Sequence, residues 1–141
     1  MSRTELVHGT CVMLNEQGIL ITGPSGSGKS DLALRLIDRG AQLVGDDYLE
    51  ISAKGATLLA SPPPQLAGKL EVRGIGICRF DYVAPAPLAL HVRLGSPPDR
   101  LPERARSLIF GVTLPILDLM AMDASAPLKV ELALKQGVGL V

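Results

Sequence analysis

Gly23-Pro24-Ser25-Gly26-Ser27-Gly28-Lys29-Ser30 constrains this chain more than any other stretch, because it completes the pattern G-x-x-x-x-G-K-[ST]. Such a loop needs a buried strand to deliver the chain into it and a helix to carry the chain away, since the helix N-terminus adds its dipole to the inward-pointing amides. Both flanks are present. Gly18-Ile19-Leu20-Ile21-Thr22 is a short apolar, β-branched run that reads as a buried strand. Between Ser30 and Gly40, Leu32 with Leu36 and Ala33 with Ile37 recur at i, i+4; Arg39 suits the last turn of a helix and Gly40 its stop. The glycines permit a tight backbone path with several N–H groups turned inward. Lys29 would set a cation on the β- and γ-phosphates of a nucleotide, and the Ser30 hydroxyl is of the type that ligates Mg²⁺. All eight residues from Gly23 to Ser30 are therefore candidate nucleotide-binding residues. The competing reading is a flexible Gly/Ser-rich loop.

The rest of the composition narrows the class. A length of 141 residues supports one domain, residues 1–141, and 47% hydrophobic content supplies a core that must be aliphatic because aromatics are only 3%. No apolar run approaches the roughly 20 residues that span a bilayer, and the N-terminus lacks a charged-then-apolar export signal. Fourteen Lys and Arg balance fourteen Asp and Glu, which argues against nucleic acid as the main partner. Two widely separated cysteines, Cys11 and Cys78, suggest neither a metal cluster nor a disulfide framework, so a cytoplasmic protein is expected.

Along the chain, Leu6 to Leu14 reads as a first strand and Asn15-Glu16-Gln17-Gly18 as a turn. A hairpin with Leu14 opposite Ile19 would carry His8 towards Ser25; a histidine simply satisfied within its strand is the equal alternative. Gln42 to Gly45 is a short strand, and Tyr48–Ser52 with Ala56–Ala60 forms a hairpin. Leu70 to Ile77 is an apolar run interrupted by charges and glycines. Leu88 to Leu94 is a further strand, Thr113 to Leu119 reads as an edge strand because of Pro115, and Pro127 to Gln136 reads as a last helix.

Two charged clusters stand out. Asp46-Asp47 closes a strand one helix after the glycine loop, where adjacent carboxylates suit a Mg²⁺ site with a neighbouring general base; a solvated turn is the plain alternative. On a strand, Glu71 and Arg73 would share a face, either paired with each other or divided between metal and phosphate. Gly74 and Gly76 suit a close backbone approach, including one to a partner chain. Arg100 reads as an ordinary surface arginine.

Taken together these segments resemble the catalytic domain of bacterial HPr kinase/phosphorylase. The resemblance rests on His8-Gly9, the loop from Gly23 to Ser30, Leu32-Ala33-Leu34 and Arg39-Gly40. It continues through Leu43-Val44, Asp46-Asp47, Glu50-Ile51 and Glu71-Val72-Arg73-Gly74-Ile75-Gly76-Ile77, and more loosely through Asp99-Arg100-Leu101 and Gly111 to Pro115. It implies a compact α/β fold of the phosphoenolpyruvate carboxykinase and HPr kinase type, a mixed sheet with a hairpin leading into the phosphate loop. It also implies an ATP- and Mg²⁺-dependent kinase that phosphorylates a serine of HPr, the phosphocarrier of the sugar phosphotransferase system. On this resemblance Lys29 binds phosphate, Ser30, Asp46 and Glu71 belong to the metal site, Asp47 is the base, and His8 and Arg100 are further active-site residues. Three departures shape the expectation. With His8 so near the first residue, the family's amino-terminal domain is not expected in this protein. Its Pro-Gly-Arg-Asn loop is replaced by Met122-Asp123-Ala124-Ser125-Ala126-Pro127, so reverse phosphorylase activity is not expected. Its carboxy-terminal helical extension is cut short, leaving a homo-oligomer open. The rival readings are a nucleotide-sensing module without turnover and a small-molecule kinase, the latter disfavoured by a chain too short for a lid.

Overall fold

The computed structural model describes residues 4–139. Among these residues eleven strands and two α-helices follow one another as β1 (Thr4–His8), β2 (Thr10–Leu14), β3 (Gln17–Thr22), α1 (Lys29–Asp38), β4 (Gln42–Gly45), β5 (Tyr48–Lys54), β6 (Thr57–Ser61), β7 (Lys69–Val72), β8 (Gly76–Arg79), β9 (Ala86–Leu94), β10 (Arg106–Ile109), β11 (Val112–Leu119) and α2 (Ala126–Gln136). The main sheet runs β1-β5-β6-β9-β3-β2-β4, with β11 beside β9 and β10 beside β11; β7 and β8 form a separate hairpin. This is a mixed α/β fold, as the sequence leads one to expect. Among the described residues no helix is long and apolar enough to cross a membrane.

Strand β9 is where the sheet divides. Its first residues pair antiparallel with β6, Ala86 opposite Ala60, while His91 to Leu94 pair in parallel with Ile116 to Leu119 of β11. Its other edge pairs in parallel with β3 as far as Thr22 opposite Arg93. Strands β3, β9 and β11 therefore run the same way, and their carboxyl ends come out together beside the glycine loop.

Strand β3 is buried on both faces, as its unbroken apolar run predicts. Ile19 and Ile21 join Val12 under the helices, packed with Leu32, Ala33 and Leu36 of α1 and Val130 and Ala133 of α2. Leu20 and Cys11 point the other way, into a second cluster with Leu49, Ile51, Leu58 and Ala60 of the β5–β6 hairpin. Burial pushes the Cys11 thiol up to about 12, so it behaves as a small apolar side chain. Arg39 near the end of α1 clamps Glu131 of α2 with two hydrogen bonds of 2.9 and 2.8 Å, and Arg35 donates to the backbone carbonyls of Ala121 and Asp123.

Several expectations are corrected. The β2–β3 hairpin pairs Leu14 with Gln17 and Val12 with Ile19, rather than Leu14 with Ile19. The turn is only Asn15-Glu16, both at positive φ (50° and 62°) as a tight two-residue hairpin turn requires. Gly18 belongs to the strand, where a Cβ would lie 2.7 Å from the Pro87 carbonyl oxygen. The first strand breaks at Gly9. Beyond the break β1 pairs antiparallel with β5, so His8 lies opposite Tyr48 instead of being carried along β3 towards Ser25. The Leu70–Ile77 run is a hairpin, with Arg73 in its turn rather than on a strand face shared with Glu71. Strand β11 is not an edge: Thr113, Leu114 and Pro115 pair with β10, an element the sequence did not reveal, and Ile116 onwards with β9. Pro115 sits at that hand-over, where a missing N–H breaks no second ladder.

Candidate active site

The glycine loop leaves β3 at Gly23 and enters α1 at Lys29. Gly26 and Gly28 sit at φ +80° and +97°, and Gly28 caps α1 with no side-chain hydrogen bond, so the first amides of the helix keep free donors. A Cβ on Gly28 would stand 2.9 Å from the Ala121 Cβ, and one on Gly23 would stand 2.6 Å from the Ser27 hydroxyl oxygen. That hydroxyl is enclosed with no hydrogen-bond partner among the described residues. The Lys29 ammonium folds back over the loop and donates to the carbonyls of Gly23 (2.8 Å) and Pro24 (3.1 Å). The chain thus holds a concave backbone with donors and one cation, the chemistry a polyphosphate needs.

Asp46 is the pivot of the site. It is only 6% exposed, and it accepts from Ser30 Oγ at 2.9 Å and from Thr10 Oγ1 at 2.8 Å. The backbone N–H of Glu71 donates to its other oxygen at 3.1 Å. One carboxylate therefore ties together the start of β2, the first turn of α1, the end of β4 and β7. A buried carboxylate persists only when its lone pairs are met in this way. The sequence marked Ser30 and Asp46; it did not mark Thr10, whose buried hydroxyl comes from 36 residues away.

Asp47 differs from its neighbour in every respect. Its side chain is 60% exposed, and its backbone holds φ 72°, which costs a non-glycine residue about 1–2 kcal/mol. The Tyr48 N–H donates to the Asp46 carbonyl at 2.9 Å across it, making a γ-turn of the rare positive-φ kind. The Gly9 N–H donates to the Asp47 carbonyl at 3.0 Å and fixes the turn from the β1–β2 break. That same break brings His8 Nε2 to 3.6 Å from Asp47 Oδ1, with the Tyr48 ring 5.2 Å from the imidazole. The turn aims two adjacent carboxylates in different directions, one into the protein and one into solvent.

The remaining expected residues are less engaged. Glu71 reaches Asp46 through its amide, while its side chain is exposed. Among the described residues no three His, Cys, Asp or Glu side chains gather as a metal cluster, so a cation here would draw on Ser30 and Asp46 with solvent and phosphate oxygens. Arg100 lies exposed between β9 and β10 and has no hydrogen-bond or ion-pair partner among the described residues.

His91 was not marked by the sequence either. On β9, its Nε2 lies 2.7 Å from Thr22 Oγ1 and its Nδ1 3.1 Å from Ser107 Oγ. Burial lowers its pKa, and the neighbouring Arg93 adds to the effect.

Known proteins resemble this chain in sequence and in fold. The curated HPr kinase/phosphorylase of Clostridium botulinum (strain Eklund 17B / Type B) is 52% identical over 71 residues, half of this chain. That of Shouchella clausii is 51% identical over 72 residues. The matched stretch spans 23% of the length of each of these relatives. The solved structure of the Hpr(Ser) kinase/phosphatase from Coxiella burnetii superposes with a TM-score of 0.81 at 29% identity, covering 93% of this chain and 94% of that one. Residues 1–83, which hold the glycine loop, Asp46, Asp47 and Glu71, match the family described as the HPr Serine kinase C-terminal domain, and to that family this chain belongs.

Proposed function

We propose that this chain is the phosphotransfer unit of a protein-serine kinase that uses ATP and Mg²⁺ to phosphorylate HPr. The observation that carries the reading is the division of labour at 46–47: a buried carboxylate bound to Ser30 at the mouth of the loop, beside an exposed carboxylate held in a strained turn. Ser30 and Asp46 would hold Mg²⁺, and their contact at 2.9 Å supports this by bringing together oxygens of the kind a hard cation favours. Mg²⁺, when bound, offsets the charge on the β- and γ-phosphate oxygens. The amides of residues 23–30 and the Lys29 ammonium hold the polyphosphate. Asp47 accepts the proton of the acceptor hydroxyl as that oxygen bonds to the γ-phosphorus and the bond to the β-phosphate oxygen breaks, releasing ADP. His8 beside Asp47 orients that carboxylate. The exposure of Asp47 supports a protein as acceptor, since a folded partner can present a serine to an open surface. Free thiols at Cys11 and Cys78 agree with a reducing cytoplasm.

The direct test is incubation of the chain with ATP, Mg²⁺ and purified HPr, followed by mass spectrometry to locate the phosphate. Transfer to one seryl residue is expected. Nucleotide binding with no transfer to HPr would favour a sensing module instead.

A further inference from the structure

A polyphosphate held by the glycine loop has two ends, and the proposed reaction fixes only one of them. The γ end must face Asp47, on the flank of β2 and β4. The other end has to leave the loop elsewhere, and the Asp46 cluster closes the β2/β4 flank with buried side chains. On the opposite flank a cleft of about 300 Å³ opens at Gly23, lined by Thr22, Gly23, Arg93, Leu94, Ser96 and Asp118. It lies outside the carboxyl ends of the parallel strands β3, β9 and β11, the place where open α/β sheets bind ligands. The cleft shares a wall with the loop. A Cβ on Gly23 would stand 3.0 Å from the Leu94 carbonyl oxygen, and one on Gly95 3.0 Å from the Pro24 Cδ.

The chemistry of the lining is polar and flat. Arg93 donates through Nε to Asp118 Oδ1 at 2.9 Å and through a terminal nitrogen to Oδ2 at 3.1 Å. This two-point clamp holds the guanidinium plane in one orientation while leaving the group about half exposed, at 48%. A fixed, weakly hydrated guanidinium face is a stacking platform for a heterocyclic base. The Ser96 hydroxyl and the Asp118 carboxylate supply donor and acceptor for sugar hydroxyls. The cleft size meets the lower end of the range for small-molecule sites, about 300–1,000 Å³.

We propose that this cleft takes the sugar and base of the nucleotide, with Arg93 stacking on the base and Asp118 both clamping Arg93 and accepting from the sugar. The proposal rests on the phosphate reading of the loop and adds the residues that set nucleoside preference. The test compares two ligands of equal charge, ATP and methyl triphosphate, by calorimetry with Mg²⁺ present. The proteins are the unmodified chain and the charge-conserving double variant Arg93→Gln/Asp118→Asn. The unmodified chain should bind ATP more tightly, on the order of tenfold, and the variant should lose that margin while keeping its affinity for methyl triphosphate. Equal affinities for the two ligands in the unmodified chain would overturn the proposal with no variant needed. So would a variant that retains the margin. If the unmodified chain bound neither ligand, the phosphate reading would fall and this inference with it.

Discussion

On the β2/β4 flank of the glycine loop, the Asp46 carboxylate is almost fully enclosed and accepts from two hydroxyls and one amide drawn from three other elements. On the β9/β11 flank, Asp118 is a third exposed and is clamped by one arginine from the neighbouring strand. Both are carboxylates within reach of the same loop, yet their energetics differ. A buried acceptor that loses a donor bears the full desolvation penalty, about 1–3 kcal/mol or more, whereas an exposed ion pair contributes about 0–1 kcal/mol. The enclosed flank is suited to holding geometry constant through a reaction. The open flank is suited to exchanging water for a ligand. Substitutions on the first should damage stability and chemistry together; on the second they should change ligand preference and leave the fold alone.

The sharpest way to break this contrast is at Asp47, which belongs to the enclosed flank by sequence but not by exposure. Asp47→Asn should slow transfer to HPr by about 10²–10⁴-fold, the scale of a lost general base, while ATP affinity and thermal stability stay near their original values. Near-normal transfer would remove Asp47 from the chemistry. Next comes Lys29, which now bonds to the Gly23 and Pro24 carbonyls. Lys29→Ala should weaken binding of ATP and methyl triphosphate alike, by about 10–100-fold, as befits one charge-assisted contact shared by both ligands. A loss confined to ATP would mean that Lys29 serves the open flank instead.

Thr10 gives a smaller but more specific test. Thr10→Val keeps the side-chain shape and removes one donor from Asp46. It should cost about 1–3 kcal/mol in urea unfolding and raise the Mg²⁺ concentration needed for tight ATP binding, and Thr10→Ser should recover most of both. Full stability in Thr10→Val would show that the network is looser than its distances imply.

Thr10 also marks the limit of what the sequence could say. The glycine loop, its strand and its helix were legible because their meaning is local: fixed spacing, an apolar run before it, an i, i+4 stripe after it. Asp46 and Asp47 were legible as a pair, and their opposite environments were not, because burial here depends on β2 and β7, 36 and 25 residues away. Glu71 stood out for its carboxylate, yet what reaches Asp46 is its backbone N–H, a group every non-proline residue carries. The break at Gly9 decides where His8 goes; it hinges on the close approach of the Ile21 carbonyl oxygen, 2.9 Å from where a Cβ would be. Strand β10 carried no signal strong enough against its irregular, polar approach, and with it went the recognition that β11 lies inside the sheet.

His91 sits on the open flank, between Thr22 of β3 and Ser107 of β10, and yields the smallest expected effect. Its imidazole faces hydroxyls of Thr22 and Ser107, with Arg93 on its own strand and Asp118 on β11 nearby. Burial is the first cause of its lowered pKa, Arg93 lowers it further, and Asp118 opposes them. In the unfolded chain the same group titrates near its ordinary 6.5. As pH falls through that value the unfolded chain takes up the proton before the folded one, so the neutral imidazole's contribution is complete above it and is lost below it. Urea midpoints measured from about pH 7 down to 5 should therefore fall more steeply for the unmodified chain than for His91→Gln, with the gap opening only below the unfolded value. Parallel curves would mean that solvent reaches the ring. The strand ends behind Gly23 would then be as wet as the cleft in front of them.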